Sequence, residues 1–166
     1  MSDQLHAHKH QPRRDDRALS QSQAFALLQE GQYGVLSTAS RDGEPYGVPL
    51  NYCVMDDQIA FHCAREGRKI EHLKHNPRAS FCVVGHAAVQ PEQFTTHYQS
   101  CLAQGPVREA SPDDKRRALE KLVRKYAADF IEDGQGVIDR LEDKTRVFTL
   151  KIEHITGKAN PPEDEE

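Results

Sequence analysis

From Tyr33 onward the apolar residues fall on alternate positions or in short runs, and helical spacing is confined to a few segments. YGVLSTAS and YGVPLNYCV are two β-rich runs joined by Arg41-Asp42-Gly43-Glu44-Pro45, where Asp-Gly is a hairpin signal. A second turn at Met55-Asp56-Asp57 leads into the strand Gln58 to Cys63, giving a three-strand meander. ASFCVVG, EQFTTHYQSCLAQGPVRE with a bend at Gly105-Pro106, and TRVFTLKIEHI from Thr145 to Ile155 supply the later strands. Between them lie four helical segments. Ser20 is an N-cap, with Phe25, Leu27 and Leu28 on an apolar face and Gly31 as the stop. A short basic helix ends at Asn76-Pro77. Ser111-Pro112-Asp113-Asp114 starts a helix whose Leu119, Leu122, Val123, Tyr126, Ala127 and Phe130 share one face, and a shorter one follows at Val137–Leu141. Strands in hairpin order with helices between some of them favour a small antiparallel barrel over a βαβ sheet.

Length and charge narrow the classes. A chain of 166 residues and 18.8 kDa suits one domain, and a net charge of -4 gives no global signal for nucleic acid. No apolar run approaches the roughly 20 residues of a membrane helix. The N-terminal MSDQLHAHKHQPRRDDR lacks the apolar core of a secretory signal. The expected protein is cytoplasmic, with a disordered His-rich tail over residues 1–17, one domain over 18–157 and an acidic tail over 158–166. His6, His8 and His10 on such a tail make a weak metal site, and no metal is expected. Cys53, Cys63, Cys82 and Cys101 form no CxxC pair and are expected as buried, reduced thiols.

The segment FHCAREGRKIEHLKHNP carries the chemistry. A strand runs through the loop Ala64-Arg65-Glu66-Gly67 into the basic helix, whose free N–H groups can face a phosphate while Arg68 and Lys69 add charge. Gly67 would let the backbone approach closely. The competing reading is a solvated basic helix. His62 is either a proton carrier or a strand-end histidine satisfied by a neighbour. Thr95, Thr96, Tyr98 and Ser100 either turn hydroxyls into a cleft or are ordinary strand formers. The basic stretch Lys115 to Lys125 reads as the wet face of an amphipathic helix.

Taken together, Arg13 to Arg17, YGVLST with GEPYGVPLNY, FHCAREGRKIEHLKHNPRASFCVVG, FTTHYQSCLAQGPVRE, DDKRRALEKLVRKYA and IEHITGKA come in an order that resembles a known family. It is the flavin-binding split-barrel proteins related to pyridoxamine 5'-phosphate oxidase, in their nitroimidazole-resistance (nitroimidazole reductase-like) branch. The resemblance implies a six-stranded antiparallel split β-barrel with peripheral helices. It also implies a homodimer holding FMN in two clefts at the subunit interface. The flavin ring maps to Val48, Pro49, Leu50 and Asn51, with Pro49 unable to donate an N–H. The phosphate maps to Lys69, with Gly67, Arg68, His62, Cys63 and Ala64 nearby. Thr96 and Ser100 are candidates for the cleft wall, and Lys158 either reaches the partner's phosphate or caps the domain. Many relatives carry G-H-K where this chain has Gly67-Arg68-Lys69; arginine stays charged, which leaves His62 as the catalytic candidate. The implied activity is an FMN-dependent oxidoreductase passing hydride from a nicotinamide or other donor to a small electron acceptor, such as a nitroaromatic. A non-catalytic flavin-binding protein and a haem-binding split-barrel relative are the alternatives.

Overall fold

The computed structural model describes residues 12–161, so the expectations for His6, His8 and His10 and for the acidic end past Pro161 lie outside the described residues. A two-residue β1 (Ala18–Leu19) precedes α1 (Gln21–Glu30). Ser20 caps α1 reciprocally: its hydroxyl accepts from the Gln23 amide, and the Gln23 side chain accepts from the Ser20 amide. β2 (Gly34–Ala39) and β3 (Pro45–Leu50) form the expected hairpin, turned at Gly43 with φ of 87°.

The run YGVPLNYCV is not one strand, as expected, but two. It breaks at Asn51-Tyr52, and β4 (Cys53–Met55) follows. The cause is tertiary. Tyr52 is fully buried, its hydroxyl donates to the Leu28 carbonyl, and its amide donates 3.1 Å to the Tyr126 hydroxyl instead of joining a strand ladder. β4 turns through Asp56 into β5 (Gln58–Cys63), then α2 (Arg68–His75), β6 (Arg78–Gln90) and the long β7 (Thr95–Glu109).

α3 (Pro112–Tyr126) is capped by the Ser111 hydroxyl and is followed by α4 (Ile131–Leu141). α4 begins six residues before the Val137 start expected from sequence, since Gly134 and Gly136 weaken its helical signal. Gly134 sits hard against Val123: a Cβ there would lie 2.4 Å from a Val123 methyl. Phe130 lies past the end of α3 and is exposed rather than on its apolar face.

The expected strand from Thr145 to Ile155 is also two, β8 (Arg146–Lys151) and β9 (His154–Asn160). At the corner between them the Ile152 amide donates to the Asp57 carbonyl (2.9 Å) and the Glu153 amide to that of Gln104 (3.0 Å). Among the described residues nine strands pair in the order β3-β2-β6-β7-β8-β5-β4, with β9 between β7 and β1. This exceeds the expected six because two runs split and β1 adds a short edge.

β7 belongs to both halves of the barrel. Its Tyr98 to Gln104 pair with β9, whereas Val107 to Glu109 pair with β8. The sheet therefore curls and stays open between β3 and β4, a split barrel. Leu36, Phe61, Phe81, Val83, Ala103 and Leu150 fill its interior under α1. A second cluster lies on the other face of β4, β5 and β8, where Cys53, Met55, Ala60 and Val147 pack beneath Ala118, Leu119, Leu122 and Ile138. Alternation along β5 thus sends Phe61 and Cys63 inward and His62 toward α3 and α4.

Candidate functional site

The loop between β5 and α2 is braced from below. Arg146 donates to both carboxylate oxygens of Glu109 (2.8 and 2.7 Å) and to the Arg65 carbonyl (3.2 Å), while the Arg65 guanidinium donates to the Asp143 carbonyl. Gly67 then takes φ 142° and ψ 167°, a region open essentially to glycine alone. Its space is open, so the backbone angle, and not crowding, requires glycine there.

α2 begins without a side-chain cap. The Gly67 carbonyl accepts from Ile70 (3.0 Å) and Glu71 (3.1 Å), leaving the Arg68 and Lys69 amides without helical partners. The Arg68 guanidinium lies 5.1 Å from the centre of the Tyr46 ring. Buried His72 pins the helix to the hairpin: its Nδ1 is 3.2 Å from the Thr38 hydroxyl, and its ring is 5.9 Å from that of Tyr46. The anion-receptive end of α2 therefore sits beside β3.

On β3, Val48 and Leu50 are half-buried against the core and Pro49 is exposed. Asn51 is exposed and donates 3.3 Å to the Gln32 carbonyl. Lys69 is half-buried and acts on its neighbours electrostatically. His62 is exposed to solvent at the strand's outer face, and it is the partial loss of hydration there, and then the Lys69 charge, that push its imidazole below its ordinary pKa. Burial likewise raises the Cys63 thiol, which faces the barrel interior, so Cys63 can offer a ligand only its backbone. Ala64 is exposed in the loop.

Three further candidates lie elsewhere. Ser100 faces Lys158 across the β7–β9 ladder, the Lys158 ammonium is 5.9 Å from the Tyr98 ring centre, and the Thr96 carbonyl accepts from Asn160 (2.8 Å). Along the sheet, β7 with Thr96 and Ser100 is three ladder steps from β3, and β9 with Lys158 is four. Among the described residues, no hydrogen bond or ring contact joins Thr96, Ser100 or Lys158 to Arg68 or Lys69.

Sequence reasoning missed a cleft of about 570 Å³ between α3, α4 and the end of β5. Leu119, Leu122, Val123, Val137, Ile138 and Leu141 line it, with His62 and Asn51 at one side. The α3 stripe was visible in the sequence, but the early start of α4 that makes the opposite wall was not. The contact of Arg68 with Tyr46 and the Arg146–Glu109 brace carried no local signal.

The open antiparallel barrel whose halves share β7 is of the split-barrel class, and an uncapped, cationic helix end lies beside its free edge at β3. The chain belongs to the pyridoxamine 5'-phosphate oxidase family, whose sequence model matches residues 20–159. Three solved structures share the fold. A candidate 5-nitroimidazole antibiotic resistance protein from Bacteroides thetaiotaomicron is 19% identical, with 85% of each chain covered and a TM-score of 0.68. An FAD-binding protein from Mesorhizobium loti is 25% identical over 85% of this chain and 93% of its own, at 0.62. An FAD- and haem-binding protein from Mycobacterium smegmatis is 18% identical over 88% and 75%, at 0.73. No curated protein matches the sequence.

Proposed function

We propose that the chain is an FMN-dependent oxidoreductase that works as a homodimer in the cytoplasm and reduces a small electrophile, nitroaromatics such as nitroimidazoles being one class. The observation that carries this is the uncapped start of α2, with Arg68 and Lys69 on its first turn, held beside β3 through Tyr46. A phosphate satisfies the two amides that lack helical partners, and the two side chains add charge-assisted hydrogen bonds. β3 is a free sheet edge, so its main-chain groups are available to the polar rim of a flavin ring. Pro49 has no N–H to give, which assigns donation to its neighbours on that edge. When bound, FMN supplies the electron-transfer chemistry. The chain positions it, keeps water out and, at His62, holds an imidazole biased to the neutral form that can take up or give a proton.

The flavin assignment draws support from the FAD-binding relative and from the family match. The spread of the candidates over β3, α2, β7 and β9 supports the homodimer, since a second copy would offer Thr96, Ser100 and Lys158 to a cofactor held by Arg68 and Lys69. Reversing the charge at Lys69 (Lys69→Glu) should raise the FMN Kd by about tenfold or more, read by quenching of flavin fluorescence. Unchanged retention of FMN would overturn the assignment.

A haem reading has one observation in its favour. The His62 side chain makes no hydrogen bond within the described residues, so a ring nitrogen would be free to bind a haem iron, and one relative binds both FAD and haem. A visible spectrum of the purified protein separates the two: flavin bands support the proposal and a Soret band supports haem. Turnover with a panel of acceptors then divides an enzyme from a flavin-binding protein.

A further inference from the structure

The cleft between α3 and α4 adjoins the flavin segment through Asn51 and His62, which line it, but most of its wall lies off β3. Val48 and Leu50 pack toward the barrel interior, whereas the cleft opens on the opposite face of β4, β5 and β8, above the second core cluster. Its volume, about 570 Å³, is that of a small-molecule pocket, and aliphatic side chains from both helices dominate its walls.

The polar groups around it are already engaged, with one exception. Glu142 is paired with Arg116 at 3.2 Å, and Arg116 is further tied to Asp139, Glu120 and Gln135. The Tyr126 hydroxyl donates to the Gln32 carbonyl (2.6 Å), the Thr145 hydroxyl to that of Leu141 (3.0 Å), and the Asn51 amide to that of Gln32 (3.3 Å). His62 alone among the polar lining residues has no hydrogen-bond partner within the described residues. Glu142, the one charged residue in the lining, is already paired with Arg116, so a charged ligand would give up hydration with no unpaired charge in the wall to replace it. An uncharged one loses nothing, and a single polar atom on it can meet the imidazole.

We infer that this cleft binds an uncharged, flat, apolar molecule, such as a quinone or a neutral nitroaromatic, anchored by one hydrogen bond to His62. If the flavin proposal holds, the occupant is the electron acceptor of that same site. For a quinone the overall change is balanced: a reduced nicotinamide gives two electrons and one proton, solvent gives a second proton, and the quinone leaves as hydroquinone. Val137 and Leu141, at 44% and 39% exposure, form the lip through which the molecule enters.

The test uses two fluorescent probes that share one ring system, uncharged N-phenyl-1-naphthylamine and its sulfonate, 8-anilino-1-naphthalenesulfonate. Both are titrated into the full chain with and without saturating FMN. The uncharged probe should bind both forms with similar Kd, menadione should displace it, and the sulfonate should bind about tenfold more weakly or worse. Val137→Arg, whose new side chain can still reach solvent, and Leu141→Trp, which narrows the lip, should each weaken the uncharged probe about tenfold while leaving the FMN Kd unchanged. Displacement of the probe by FMN would give the cleft to the cofactor and overturn the inference. Equal binding of the two probes, or indifference to both substitutions, would overturn it as well. Probe binding that survives while FMN fails to bind would sink the flavin proposal and uphold the ligand class of the cleft.

Discussion

Folding and protonation oppose each other at His62. Partial desolvation of this exposed ring and the Lys69 charge both disfavour imidazolium in the folded chain, so its pKa falls below the ordinary 6.5. The unfolded chain then binds more protons than the folded one, and stability rises with pH through this window. The contribution is fully present above pH 6.5 and is progressively lost as pH falls from there toward the lower folded-state value. Urea unfolding of the wild type should therefore weaken on acidification relative to His62→Gln. A difference between the two that did not change with pH would contradict the assignment. Gly67 sets a second constraint at this scale. With φ 142° and ψ 167° it holds a conformation that costs any other residue about 1–3 kcal/mol, so Gly67→Ala should lower the unfolding free energy by that amount, seen as a lower urea midpoint. Because the amides of Arg68 and Lys69 follow directly, the same variant should also weaken FMN.

At the scale of elements, the decisive joint is the one where β7 passes from one half of the barrel to the other. A Cβ on Gly105 would fall 1.8 Å from the Lys151 carbonyl oxygen, a backbone atom that no side-chain rotation can move. Gly105→Ala should cost on the order of 3 kcal/mol, seen as a lower thermal midpoint, with the β8–β9 corner the first to loosen. A variant as stable as the wild type would mean that the seam is not held there. The seam also shows which parts of the fold could be read from sequence. The caps at Ser20 and Ser111, the Asp42-Gly43 turn, the Gln58–Cys63 strand and the basic helix depend on residues within a few positions of each other, and they form where local chemistry places them. The breaks at Asn51-Tyr52 and Ile152-Glu153 depend on distant partners, Tyr126, Asp57 and Gln104, which no local window contains. The site divides along the same line. Arg68, Lys69 and His62 lie within one β-loop-α unit, Lys69 acting on His62 and Arg68 lying against Tyr46, whereas Thr96, Ser100 and Lys158 are on β7 and β9, and the cleft wall from α4 was hidden by its glycines.

For the whole molecule, the sheet itself supplies the reason to expect two copies. Val35, Cys82, Leu102 and Thr156 stand opposite one another across β2, β6, β7 and β9, on the face turned away from the buried Leu36, Phe81 and Ala103. All four remain half-exposed, a row of mainly apolar side chains on the outer surface of a sheet whose helix α1 packs on the inner side. An isologous pairing of this face with itself would cover the row in both copies with one contact. Light scattering should therefore give twice the 18.8 kDa chain mass. Leu102→Arg, placing a charge in the middle of the row, should give a monomer whose FMN Kd rises about tenfold although every residue of the α2 clamp is intact. A wild-type monomer that retained FMN at full affinity would show that one barrel encloses the cofactor alone, and the distance between β3 and β9 would then need no second copy to bridge it.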